Sequence, residues 1–223
     1  MVVEDFPPEI LEKRKVFSPV LRAAHNSNGK YRARLVVDRL VVNGRQYNAL
    51  EIDKLPPDLN PRNLATVSHG NITAFFTASS PLSNHHSSPF TVQNQNFSSV
   101  EQYFMYCKAH HFNDEQKAKE ILETDNPKTA KALGRQVSNF DKSAWLVVCD
   151  RVMKDALVAK FTQNPHLRKF LKDTGDSLLV EANPNDSYWG AGLALNNPDI
   201  WMQERWQGKN TLGSLLQQVR ETL

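Results

Sequence analysis

Apolar residues recur at helical spacing through most of the second half of the chain and alternate only in short runs. Val100, Tyr103, Phe104 and Cys107 stand at i, i+3, i+4 and i+7, which predicts a helix from about Ser99 to His111. Asp114 to Glu123 predicts a second, short helix. Asn126 then supplies a cap and Pro127 a first helical residue for a third, closed at Gly134. Asp141 caps the longest helix, Lys142 to about Gln163, whose buried stripe is expected to include Trp145, Val148, Val152, Ala156 and Ala159. Another helix follows Pro165 and stops at Gly175, and Thr211–Leu223 forms a final amphipathic one. Strands are few: Ile72–Phe76, a hairpin of Pro89–Val92 and Gln95–Phe97 across Gln93–Asn94, and Ser177–Ala182. Asn183–Gly192 reads as an irregular loop. This pattern predicts an α+β, mostly helical fold.

Ahead of these elements the pattern differs. Six of the twelve prolines fall in the first 61 residues, whereas all four tryptophans (Trp145, Trp189, Trp201, Trp206) fall in the last 79. Residues 31–52 read as extended segments about Asn43–Gly44, a hairpin-turn signal. Leu55–Pro61 is linker-like, because proline removes a donor and fixes φ. We therefore expect an N-terminal extension over 1–65, hairpin-like at 31–52, followed by one compact domain over 66–223.

At 40% hydrophobic and 23% charged, the chain has the usage of an ordinary globular protein, which argues against wholesale disorder. Cys107 and Cys149 lie within helical patterns and are expected to be buried free thiols rather than a disulfide. The first eight residues lack the features of a signal peptide, and no apolar run approaches 18 residues. The expectation is a cytoplasmic or nuclear protein with no membrane partner. Net charge is +3, of which residues 61–223 hold +1. No lysine and arginine stripe exists to displace counterions, so tight sequence-independent nucleic-acid binding is not expected. A local phosphate pocket remains compatible with this balance.

Several stretches carry candidate chemistry. In Glu181–Gly192 a strand delivers Glu181, a polar turn presents Asp186, and Trp189 precedes Gly190. Glycine admits close backbone approach and a loop tryptophan can stack on a flat ring; the bland alternative is a surface turn plugged by its tryptophan. Ser98-x-x-Glu101 has capping-box spacing, which would return the carboxylate to a backbone N–H. Alternatively, Glu101 and Lys108, seven residues apart, project a carboxylate and an ammonium from one helix face. Arg135 either clamps a phosphate or complements a helix C-terminus. Gly208–Gly213 reads as a helix-entry loop or a turn in which Asn210 or Thr211 caps the last helix. His85–His86 and His110–His111 lack metal-ligand spacing, so no metal is expected. Phosphate-binding Walker loops, dinucleotide fingerprints and nucleophile elbows are missing from the sequence.

The order of these motifs is more specific than any one of them. Ser83-Asn84, Ser99–Tyr103 with Lys108, Ala132–Arg135, Trp145, Lys160-Phe161, Thr174-Gly175, Val180-Glu181, Asn185–Gly190 and Gly208–Gly213 together resemble the NADAR family, the YbiA-like N-glycosidases, over about residues 71–223. The resemblance implies a compact, mostly helical domain that hydrolyses an N-glycosidic bond joining a ribose phosphate or ADP-ribose to a base or amine. Activities in that family include cleavage of early riboflavin-pathway intermediates and removal of ADP-ribose from guanine. It implies catalytic or substrate-contacting roles for Glu101, Asp186, Trp145 and Trp189. Ser83, Asn84, Lys108, Arg135, Glu181, Gly190 and Asn210 would line the substrate. Two departures stand out: His85 where an aromatic is usual, and Gln102 where histidine is common.

Departure of a base from C1′ makes the ribose oxocarbenium-like, which a nearby carboxylate stabilises. Glu101 is expected in that role, orienting water or attacking directly, with Asp186 on ribose hydroxyls or water. Trp145 and Trp189 would wall the base, while Lys108 and Arg135 would hold phosphate. No cofactor is needed. The expected partner is a small nucleotide or an ADP-ribosylated substrate, free or on nucleic acid. Two other readings are a non-catalytic ADP-ribose-binding module and a nucleic-acid-associated accessory using Arg32, Arg34 and Arg39.

Overall fold

The computed structural model describes residues 39–42, 45–48, 65–69, 71–195 and 197–223. Expectations for the rest of 1–64, including the Asn43–Gly44 turn, lie outside the described residues. The described residues fall into two compact units, one of those up to residue 80 with those of 176–214 and one of 81–175 with 215–223.

The first unit is built on a five-stranded sheet in the order β2-β1-β3-β4-β7. Its strands are β1 (Arg39–Val42), β2 (Arg45–Asn48), β3 (Thr66–His69), β4 (Ile72–Phe75) and β7 (Leu178–Glu181). The hairpin expected near Asn43–Gly44 is present as β1 and β2, and β1 pairs antiparallel with β3. The boundary read from the sequence near residue 65 stands just ahead of β3. Strand β3 was not foreseen, since four residues ahead of a Gly–Asn step carry little periodic signal. β4 runs between β3 and β7 and is buried along its whole length. Its pairing with β7 is parallel, with Ile72 opposite Leu178 and Phe75 opposite Glu181. A parallel pair needs a long crossover, and here residues 76–177 supply it. Ile72, Ala74, Val180, Ala182, Ala191, Leu193 and Ile200 form the core, with Trp201 and Trp206 packed against it.

The second unit holds the hairpin β5 (Phe90–Val92) and β6 (Gln95–Phe97) and most of the helices. Gln93 and Asn94 both take positive φ, 49° and 65°, as a two-residue hairpin turn requires. The helices are α1 (Val100–His111), α2 (Glu115–Leu122), α3 (Pro127–Gly134), α4 (Lys142–Gln163) and α5 (Pro165–Asp173); α6 (Thr211–Thr222) ends the chain. Asp114, Asn126 and Asp141 each accept first-turn N–H bonds with their side chains, satisfying donors that a helix start leaves open. Both cysteines are free; Cys149 is buried and Cys107 half-buried.

The stripe of α4 departs from expectation. Its buried residues are Trp145, Cys149, Met153, Ala156, Leu157, Lys160 and Phe161, whereas Val148, Val152 and Ala159 are half-buried. The neighbour along this helix changes, α1 giving way to β5 and α5, so the buried face rotates away from a single 3.6-residue line.

Candidate functional site

In the helical unit the sequence-predicted residues Ser83, Asn84 and Glu101 come together. Helix α1 is capped by Ser99, whose Oγ accepts from Gln102 N at 3.2 Å. Gln102 Oε1 in turn accepts from Ser98 N at 2.7 Å and Ser98 Oγ at 3.0 Å. The reciprocal bonds with Gln102 thus run one residue later than the Ser98/Glu101 spacing suggests. Gln102 is also a clamp, because its Nε2 donates to Thr124 O at 2.8 Å and Ile121 O at 3.1 Å beyond and at the end of α2. That accounts for a glutamine at this position, since it accepts and donates at once.

Glu101 is 4% exposed. Its Oε2 lies 3.5 Å from His85 Nε2 and its Oε1 3.8 Å from Lys131 Nζ of α3. Its backbone N–H, one of the open donors of a helix start, bonds Asn84 O at 3.1 Å. The turn carrying Asn84 is itself tethered. Ser83 Oγ accepts from His85 N at 3.2 Å, and Ser83 O accepts from Lys160 Nζ at 2.8 Å. Asn84 Oδ1 is buried and has no hydrogen-bond partner.

Burial, then the lysines Lys131 and Lys128, holds the His85 imidazole down to about 4. At neutral pH its contact with Glu101 is therefore that of a neutral imidazole with a carboxylate, not an ion pair. Lys160 is wholly buried, and desolvation brings its ammonium down to about 7.

Lys108 does not serve Glu101. Its Nζ donates to Gly134 O at 2.8 Å and lies 3.8 Å from the centre of the Phe140 ring. Two helical turns separate the two Cα atoms by about 10 Å, and the carbonyl end of α3 captures the ammonium first. Arg135, the C-cap residue of α3, is exposed. Trp145 is 7% exposed and packs on Phe104 at 5.1 Å, His111 at 5.7 Å and Phe112 at 6.4 Å. It thereby buttresses α1 one turn beyond Glu101.

The remaining predicted residues, Glu181, Asp186, Trp189, Gly190 and Asn210, come together in the sheet unit. Asp186 Oδ1 accepts from Tyr188 N at 3.0 Å and Trp189 N at 2.8 Å, which fixes the turn that presents Trp189. Trp189 is half-buried and sits edge-on to Tyr188 at 5.0 Å. The loop is then stitched by backbone to 207–212: Lys209 N bonds Ser187 O, Asn210 N bonds Gly190 O, Thr211 N bonds Tyr188 O and Leu212 N bonds Trp189 O. Such close approach needs glycine on both sides. A Cβ on Gly190 would lie 3.0 Å from the carbonyl oxygens of Asp186 and Glu181, and one on Gly208 would lie 2.2 Å from Gly190 O.

Asn210 is 3% exposed, and its amide is spent on β7, donating to Leu179 O at 2.8 Å and accepting from Glu181 N at 3.0 Å. It mimics a neighbouring strand along that edge, so its contribution is to hold Glu181 and the loop behind it.

Sequence reasoning missed Lys131 and the contact of His85, and it named Lys160 only within a motif, without its bond to Ser83 O. Lys160 left a trace, a lone cation in the apolar run Ala156–Phe161. Lys131 left none, because only the folding of α3 against α1 brings it to Glu101. Among the described residues no group of three or more histidine, cysteine, aspartate or glutamate side chains is placed to hold a metal, and no helix is long and apolar enough to cross a membrane.

Comparison with known proteins bears on the same stretch. The NADAR domain family model matches residues 73–223. The chain is 39% identical over 123 residues to N-glycosidase R617 of Acanthamoeba polyphaga mimivirus, covering 55% of this chain and 72% of that protein. It is 40% identical over 129 residues to Protein irg-1 of Caenorhabditis elegans, spanning 57% of this chain and 61% of that protein. An NMR structure of the Escherichia coli protein YbiA matches with a TM-score of 0.56 at 34% identity, over 68% of this chain and 84% of that one.

Proposed function

Because the chain belongs to the NADAR domain family, we propose that it is an N-glycosyl hydrolase, with Glu101 as the carboxylate that serves the reacting sugar. The supporting observation is a buried carboxylate, 4% exposed, with His85 Nε2 3.5 Å from one oxygen and Lys131 Nζ 3.8 Å from the other. The proposed substrate is a ribose phosphate or ADP-ribose joined through C1′ to a base or amine nitrogen.

In the reaction the C1′–N bond breaks and its electron pair leaves with the nitrogen. The sugar ring becomes oxocarbenium-like, and the charge of Glu101 stabilises it. Water adds its hydroxyl to C1′ and gives its proton to the carboxylate, which passes it on to the departing nitrogen. The products are the free sugar and the amine. Arg135, the exposed guanidinium at the end of α3, is the proposed phosphate contact in place of the engaged Lys108.

The test is Glu101→Gln, assayed for product from ribosylamine phosphate and ADP-ribosylated guanosine. Turnover is expected to fall by about 100-fold or more, while circular dichroism stays native. Undiminished turnover refutes the proposal. Calorimetric binding of ADP-ribose by the wild-type protein without product formation points instead to a binding module.

A further inference from the structure

The Ser83–His85 turn and helix α3 bring two unassigned groups to the two oxygens of Glu101. We propose that His85 and Lys131 are positioning residues, the imidazole fixing the direction of the Glu101 carboxylate and the ammonium keeping it ionised. This rests on the reading of Glu101 given above and adds how one buried carboxylate is made ready for use.

His85 Nε2 faces Oε2 at 3.5 Å, and Lys131 Nζ faces Oε1 at 3.8 Å. A neutral imidazole carries one N–H and one bare nitrogen, and a bare nitrogen turned to a carboxylate would repel it. The proton therefore belongs on Nε2, where it can donate to Oε2. The separation is long for a hydrogen bond, as catalytic contacts often are before substrate binds. The turn that carries the imidazole is held in place from behind. The backbone N–H of His85 bonds Ser83 Oγ, Ser83 O is gripped by Lys160 Nζ, and Asn84 O receives the Glu101 backbone N–H.

The charges around the imidazole explain why it stays neutral. Glu101 faces it from α1, Lys128 and Lys131 lie near it on α3, and Lys160 of α4 holds the turn beneath. Partial burial and then two nearby ammonium groups oppose a further cation, so His85 remains a neutral donor through the ordinary range of pH. Lys131 has the complementary task. Burial alone would raise a carboxyl toward its neutral form, and a nearby ammonium counters that.

The experiment compares pH–rate profiles of the wild type with His85→Phe, His85→Gln and Lys131→Met. Glu101→Gln serves as a control, on the substrates named above. Lys131→Met is expected to move the acid limb of kcat/KM upward by about one pH unit. His85→Phe is expected to lower kcat about 10-fold with little change in KM, and His85→Gln to recover most of it through its amide N–H. Lys131 is 37% exposed, so its replacement keeps the test available if His85→Phe does not fold. Superimposable acid limbs and equal kcat in the folded variants, with Glu101→Gln inactive, overturn this inference alone. Activity in Glu101→Gln overturns the reading of the site as well.

Discussion

Replacing Lys160 by methionine removes a fully buried ammonium while keeping an unbranched stem of similar length. The ammonium makes a 2.8 Å hydrogen bond to Ser83 O and lies 5.1 Å from the Phe161 ring, and burial brings it down to about 7 from an ordinary 10.5. Because the folded-state value is lowered, the unfolded chain holds the proton more tightly than the folded one. The cost of the charge is therefore fully present below pH 7, and it disappears as pH rises toward 10.5. The slope in that window is at most about 1.4 kcal/mol per pH unit. Against Lys160→Met the wild type should thus gain up to about 2–3 kcal/mol between pH 7 and pH 9, other titrations cancelling in the difference. Urea unfolding of both proteins at pH 6, 7, 8 and 9 measures this directly. Below pH 7 the variant should hold its largest relative advantage, since well-packed apolar replacements of buried charges are often stabilising. Activity should nevertheless fall, because Ser83 and Asn84 lose the tether that steadies them against α1. A stability difference that stays flat from pH 6 to 9 would refute the assignment of Lys160 as a desolvated cation.

Two other substitutions test the supports of the site. Gln102→Ala should cost about 3–5 kcal/mol, because it strands carbonyls at the end of α2 and the Ser98 N–H together; urea unfolding reads the loss, and a change under 1 kcal/mol would deny the clamp. Asn210→Ala should cost about 3 kcal/mol, since alanine is disfavoured at the positive φ of 52° and removes the side-chain bonds to Leu179 O and from Glu181 N. Faster hydrogen exchange at the Glu181 amide should accompany the fall in melting temperature, and unchanged protection there would contradict the brace.

Most elements could be read from the residues alone. The caps at Asp114, Asn126 and Asp141, the proline at the start of α3 and the left-handed pair Gln93–Asn94 act within four residues of themselves. Local hydrogen bonds and one-sided burial therefore leave a periodic trace that needs no knowledge of the rest of the chain. The same holds for the candidate carboxylates, since Glu101 and Asp186 sit in recognisable local settings and the ordered motifs around them carried the family resemblance.

What each side chain touches was decided elsewhere. Lys108 meets Gly134, 26 positions on, and Lys160 meets Ser83, 77 positions back. Asn210 closes the edge of β7 across about thirty residues, and the frame of the α1 cap turned on whether Gln102 found carbonyls at α2. Chain periodicity reports which face of an element is covered, but a hydrogen bond or ion pair depends on which surface does the covering. For that reason the carboxylate at 101 was visible in the residues, whereas the histidine and lysine that flank it emerged only when α1, α3 and the Ser83–His85 turn packed together.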